Sequence, residues 1–187
     1  MKDKINIFWF RRDLRLEDNT GLYHSLRAGL PVLPIFIFDT EILDKLGNKL
    51  DARVEFIHNA LTEIDSGLIK YNSSLLTIAG KPADVLMKLT DEYDVSEVFT
   101  NHDYEPYAIK RDSEVNKLLG SKGIKFSTFK DQVIFEKNEI VKPDCKPYSI
   151  YTPYSKTWRA KFSPKDIEEF PLKDLQCNFY KIKASVL

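Results

Sequence analysis

Three short polar segments hold the residue types that could do chemistry, and each follows an apolar run. Arg11-Arg12-Asp13-Leu14-Arg15-Leu16-Glu17-Asp18-Asn19 follows Ile5–Phe10. Asp39 follows Val32–Phe38, and Asn101-His102-Asp103-Tyr104-Glu105-Pro106-Tyr107 follows Val95–Thr100. The first segment contains no glycine, whereas a loop that cradles phosphate needs glycine so that its backbone N–H groups can approach the anion. Gly21 comes too late for that purpose, and Gly80 and Gly123 read as helix caps. Nucleotide binding through a Gly-rich loop is therefore disfavoured. Alternating arginines and carboxylates leave two readings open. One is a salt-bridged loop that fixes the edge of a sheet. The other is a polar rim around a bound planar molecule, with Arg11 or Arg12 as its cation. Asp103 and Glu105 are equally divided: they could cap a helix starting at Pro106, whose positive end favours them, or join the same rim.

The elements that must position these segments alternate in type. Ile5–Phe10, Val32–Phe38, Leu75–Ala79, Val95–Thr100 and Ile124–Phe129 read as strands; near-continuous apolar runs suit a parallel sheet covered on both faces, and the last three, more mixed, are expected nearer its edges. Between them, Thr20 to Gly29 predicts a helix capped by Asp18 or Asn19. Leu50, Val54, Ile57, Leu61, Ile64, Leu68 and Tyr71 form one stripe of a long amphipathic helix. Pro82 and Pro106 suit the first turns of two more helices. Val85, Leu86, Leu89 and Tyr93 supply the buried face of the first, and Ala108, Val115, Leu118 and Leu119 that of the second, which stops near Gly120. The fold class is α/β, a doubly wound, Rossmann-like five-stranded parallel sheet with helices on both faces and strand order 3-2-1-4-5. Ligands of such sheets bind beyond the carboxyl ends of the strands, at the switch point. All three polar segments lie there.

Composition narrows the function. The chain has 187 residues, 43% apolar and 30% charged, the profile of a globular protein. Lys plus Arg and Asp plus Glu are equal at 28 each, which argues against a domain that grips nucleic acid by its phosphates alone. Cys145 and Cys177 with three scattered histidines offer no metal-ligand spacing. No apolar span is long enough for a membrane helix, so the expectation is a cytoplasmic protein with free thiols. From about Pro143 the chain becomes rich in proline and aromatics among lysines, with one short helix expected over Pro153–Lys161. This divides it into a domain at 1–135 and a loop-rich linker at 136–187. Such an aromatic tail must pack on this domain or against another.

Phe8-Trp-Phe-Arg-Arg-Asp-Leu-Arg-Leu-Glu-Asp-Asn19 resembles the opening signature of photolyases and cryptochromes, W-x-R-x-D-L-R-x-x-D-N. Phe36-Ile-Phe-Asp39, Asp51-Ala-Arg53-Val54, Glu105-Pro-Tyr-Ala-Ile-Lys-Arg-Asp112 and Pro147–Trp158 are similar to later segments of that family in the expected order. The resemblance implies the N-terminal domain of a longer protein. Its reduced FAD would sit in a C-terminal helical domain and use light to split pyrimidine dimers in damaged DNA, as a carbon–carbon lyase. This chain would then hold no catalytic residue and would not repair DNA by itself. In the family this domain can carry a light-harvesting pigment. By resemblance Phe36, Phe38, Asp39, Arg53, Asp103 and Glu105 lie near it, joined by Arg11. The folate-binding type has Asn-Glu where this chain has Tyr107-Ala108, so a deazaflavin or flavin is expected rather than folate, or no antenna at all. Within the family the alternative to a repair enzyme is a cryptochrome, a light receptor without repair activity.

Overall fold

In a computed structural model, which describes residues 2–46 and 51–181, each strand up to residue 129 is separated from the next by one or two helices. They are β1 (Lys4–Phe10), α1 (Thr20–Arg27), β2 (Val32–Asp39), α2 (Thr40–Leu43), α3 (Ala52–Ile69), β3 (Leu76–Gly80), α4 (Pro82–Glu92), β4 (Asp94–Asn101), α5 (Pro106–Ser121) and β5 (Lys125–Phe129). All four strand pairings are parallel, in the order β3-β2-β1-β4-β5. This is the expected doubly wound α/β sheet.

The two-residue periodicity of β1 explains its place at the centre. Ile5, Ile7 and Trp9 pack on one face with Val85, Leu86 and Leu89 of α4 and Val115 and Leu119 of α5. Phe8 and Phe10 point to the other, against Leu22 and Leu26 of α1 and Leu61, Ile64 and Leu68 of α3. Each large apolar side chain fully buried this way contributes about 1.5–3 kcal/mol. With both faces covered, the strand must be apolar throughout.

Several boundaries differ from expectation. The long helix is Ala52–Ile69, capped by Asp51, whose side chain accepts from the Arg53 N–H; Leu50 lies outside the described residues. Asn19 rather than Asp18 caps α1, accepting from the Leu22 N–H. Gly123 does follow a helix, at φ 72° just past α5. Gly80 is no helix cap. It ends β3 at φ 152° and sits against Val85, whose Cγ2 would lie 3.0 Å from an added Cβ.

Beyond β5 the chain carries α6 (Tyr151–Lys161) and two 3-10 turns, Pro164–Ile167 and Gln176–Asn178. Its last described part returns to the sheet. Leu172 and Phe179 are buried in the core beside α3, and the Tyr180 N–H donates to the Val32 carbonyl at 2.7 Å.

Candidate functional site: a cleft at the switch point

Beyond the carboxyl ends of the strands lies a cleft of about 260 Å³. Trp9 and Phe10 of β1 and Phe36, Ile37 and Phe38 of β2 form its inner walls. Phe36 and Phe38 are two residues apart and so share a face, their rings meeting edge-on at 5.0 Å. Ile42 and Leu43 of α2 and Ile57 of α3 complete the apolar side. Helix α2 is too short to announce itself by periodicity. It forms because Asp39 ends β2 with Oδ1 accepting the Glu41 N–H at 3.0 Å.

The polar side comes from the β1–α1 and β4–α5 loops and from α5. The Arg11 side chain is buried and donates through Nη1 to both Asp112 oxygens, at 2.7 and 2.8 Å, and through Nη2 to the Asn101 carbonyl. Burial pulls its pKa below the ordinary arginine value, opposed by Asp112. Arg12 stands half-exposed at the mouth, 2.8 Å from Glu105 and 3.7 Å from Asp103. Arg111 is buried, with its guanidinium 4.9 Å from the Trp9 ring centroid; that of Arg11 lies 5.1 Å from the same centroid. The Asp39 Oδ2 accepts from the Tyr107 hydroxyl at 2.7 Å. Burial first, then this bond, raise the Tyr107 pKa.

The β1–α1 loop is held from below. Asp13, Asn19 and Asn101 are all buried. Asp13 accepts from the Arg11 N–H at 2.7 Å and from Asn101 Nδ2 at 2.6 Å, and Asn19 accepts from Asn101 Nδ2 at 2.9 Å. Asp13 and Asn19 thus anchor the loop, while Arg11 and Arg12 face the cleft. Ion pairs of Arg11 with Asp112, Arg12 with Glu105 and Arg15 with Asp131 bear out the salt-bridge reading of this segment. Neither Asp103 nor Glu105 makes a side-chain cap bond to the first turn of α5. Glu105 is the N-cap residue of α5 but makes no side-chain cap bond, and Asp103 accepts from the Glu105 N–H instead.

Residues 6–173 match the family model described as DNA photolyase. The chain belongs to the DNA photolyase family. A deoxyribodipyrimidine photo-lyase of Synechococcus sp. is 32% identical over 161 residues, covering 86% of this chain and 33% of the relative. The crystal structure of a class III photolyase from Agrobacterium tumefaciens superposes with a TM-score of 0.77 at 27% identity, over 88% of this chain and 33% of that one. The archaeal photolyase of Sulfolobus tokodaii, solved with two FAD molecules and described as implying a novel light-harvesting cofactor, gives 0.68 at 34% identity, over 74% and 32%. This chain therefore spans about a third of the length of these photolyases.

Six of the seven residues singled out in the sequence line this cleft of the photolyase domain: Arg11, Phe36, Phe38, Asp39, Asp103 and Glu105. Arg53 stands apart from them. Its side chain is 74% exposed and turned back on Asp51, with Nε and Nη2 at 2.9 and 2.6 Å. Ile57, one helical turn further on, is the α3 residue that reaches the cleft. Arg111, Trp9 and Ile42 were missed. For Arg111 a signal existed: Ala108, Arg111, Val115 and Leu119 are the buried stripe of α5, and an arginine in such a stripe is held for a reason.

Proposed function

We propose that the cleft is an antenna site, holding a planar light-harvesting pigment of the deazaflavin or flavin class. The observation that supports this reading is the joining of the ends of β1 and β2 and the β4–α5 loop into one concavity, with aromatic walls and an arginine–carboxylate rim. Its volume falls near the small end of ligand pockets, roughly 300–1,000 Å³, which suits a ring system rather than a whole dinucleotide. The donor set fits as well: rings for stacking, guanidinium groups for carbonyl or anionic edges, and no glycine cradle for phosphate. Once bound, such a pigment supplies absorption of blue or near-ultraviolet light. The chain's own residues bind it, fix its plane and exclude water, and none needs to move a proton.

The full-length protein, on this reading, is a DNA photolyase. It passes the excitation to FAD in a C-terminal domain and splits pyrimidine dimers in damaged DNA. It works in the cytoplasm, where Cys145 and Cys177, both exposed and free, remain thiols. No helix among the described residues is long and apolar enough to cross a membrane.

The test is an action spectrum. Full-length protein expressed in a host that makes deazaflavins should show light-dependent loss of pyrimidine dimers, with an action maximum at the absorption band of the co-purified pigment. Repair that follows the FAD spectrum alone would remove the antenna role. No repair by flavin-loaded protein would place it among the light receptors.

A further inference from the structure

The segment after β5 carries a stretch whose charge departs from that of the whole chain. From Cys145 to Lys165 it holds Lys146, Lys156, Arg159, Lys161 and Lys165 and no carboxylate, interleaved with Tyr148, Tyr151, Tyr154, Trp158 and Phe162. The chain as a whole is charge-balanced, so this run of cations is a local feature. Its centre is α6, a helix with no buried residue. Tyr151, Tyr154, Ser155 and Trp158 recur at the three- and four-residue steps of one helical face, and with Arg159 they line a concavity of about 310 Å³.

The rings and cations of this face differ in what they already touch. Tyr151 is 74% exposed. Trp158 is half-buried, stacked on Phe162 at 5.4 Å and set edge-on to Phe135, which fixes its plane. Lys161 turns inward, its Nζ donating to the Glu139 carbonyl at 2.7 Å. The lysines of this segment that form ion pairs are Lys130, Lys137 and Lys146; Lys156 and Arg159 are exposed and form none among the described residues. These two cations decide between occupants. The centre of a protein interface is depleted of lysine, whereas a polyanion meets both cations along its backbone. Aromatic rings beside them select a polyanion that also has flat faces to stack, and only unpaired bases offer those faces.

We propose that this face of α6 binds single-stranded nucleic acid, with Tyr151 and Trp158 stacking on unpaired bases while Lys156 and Arg159 meet phosphates. Stacking on a ring tolerates any sequence, because every base has a flat face, so the surface holds a strand without reading it. The site lies on a different element from the cleft and stands independently of the antenna reading.

The probe is a short fluorescein-labelled oligothymidylate, and its binding to the 187-residue chain is followed by anisotropy. Tyr151→Ala should weaken binding by about five- to a hundred-fold, the range for one stacked base, and Tyr151→Phe should keep it. Lys156→Gln with Arg159→Gln should flatten the slope of log affinity against log salt by about 1.4, since each phosphate contact on a single strand accounts for ~0.7. Intrinsic fluorescence gives a second readout. Of the two tryptophans, Trp9 is buried in the sheet, so quenching by the strand should come from Trp158 and vanish in Trp158→Phe. No binding, affinity unchanged in Tyr151→Ala, or equal displacement of the probe by heparin, a polyanion without bases, overturns the inference. A dimer that Tyr151→Ala breaks up assigns the face to a second copy of the chain and overturns it too. Full-length protein that binds the strand equally with and without Tyr151→Ala assigns the face to packing within the protein, with the same consequence.

Discussion

Asn101 donates to Asp13 at 2.6 Å across 88 residues of chain, tying the end of β4 to the loop that follows β1. The same amide group donates to Asn19, the cap of α1, and its oxygen accepts the Gly21 N–H at 2.8 Å. Three chain segments meet in this one side chain, all buried. Asn101→Ala removes every one of these bonds and leaves Asp13 short of a partner. We expect it to cost about 2–3 kcal/mol, read as a lower denaturant midpoint with an unchanged slope and a melting temperature lower by roughly 5–10 °C. Wild-type stability in Asn101→Ala would show that the latch carries no energy.

Gly21 is packed against the same latch. A Cβ at this position would lie 2.6 Å from Asn101 Oδ1 and 2.9 Å from Phe8 Cε2. Neither neighbour can yield, because one is hydrogen-bonded and the other sits in the core. Gly21→Ala, normally a gain in a helix, should destabilise here by about 1–3 kcal/mol through overpacking. The comparison that checks it is Gly120→Ala in α5, where an added Cβ meets nothing within 4 Å; that variant should be neutral or stabilising.

The sheet was legible in the sequence because its signals are dense. Five apolar runs, each long enough for a strand and separated by capped amphipathic helices, leave few topologies once crossovers are right-handed. The cleft was legible through topology, since the carboxyl ends of β1, β2 and β4 are where such sheets bind ligands. What escaped is whatever depends on the direction of a side chain. Arg53 shares a helical face with Ile57, yet its guanidinium turns back to its own cap. Arg111 lies in an apolar stripe, and a periodicity count passes over a charged residue there. Helix α2 has four residues, too few for any period. Gly80 shows the same limit for the backbone: a lone glycine fits a helix end or a strand end, and only the packing of Val85 against it decides.

Asp51 and Arg53 form a pH probe at the entrance of α3. The Arg53 side chain and then its backbone N–H hold the Asp51 carboxyl down at about 2, against an ordinary value of 3.8. A folded-state pKa below the unfolded one adds stability that is present above about pH 4 and lost as pH falls toward 2. Arg53→Ala removes the larger cause and leaves the N–H bond of 2.9 Å. The Asp51 pKa, followed by carboxyl carbon chemical shift, should then rise part of the way and stop short of 3.8. Because the ion pair is exposed, neutral-pH stability should change little. A pKa still near 2 in Arg53→Ala would assign the whole effect to the backbone N–H.

The tail supplies a contrast between two aromatic residues of one segment. Phe179 is 2% exposed, stacks on Tyr71 at 5.7 Å between centroids and bridges in parallel to Val32. Trp158 lies on α6, a helix with no buried residue, stacked on Phe162 at 5.4 Å and edge-on to Phe135. If residues after 135 were only a linker, neither substitution would affect the sheet. Phe179→Ala should instead cost about 3–5 kcal/mol, the range for an aromatic removed from a core, and should loosen amide protection in β2 and α3 on hydrogen exchange. Trp158→Ala should leave that protection unchanged, because its partners are confined to the segment after β5. Equal effects from both would mean that α6 is part of the same cooperative unit. Protection untouched by Phe179→Ala would mean that the sheet ends its core without the tail.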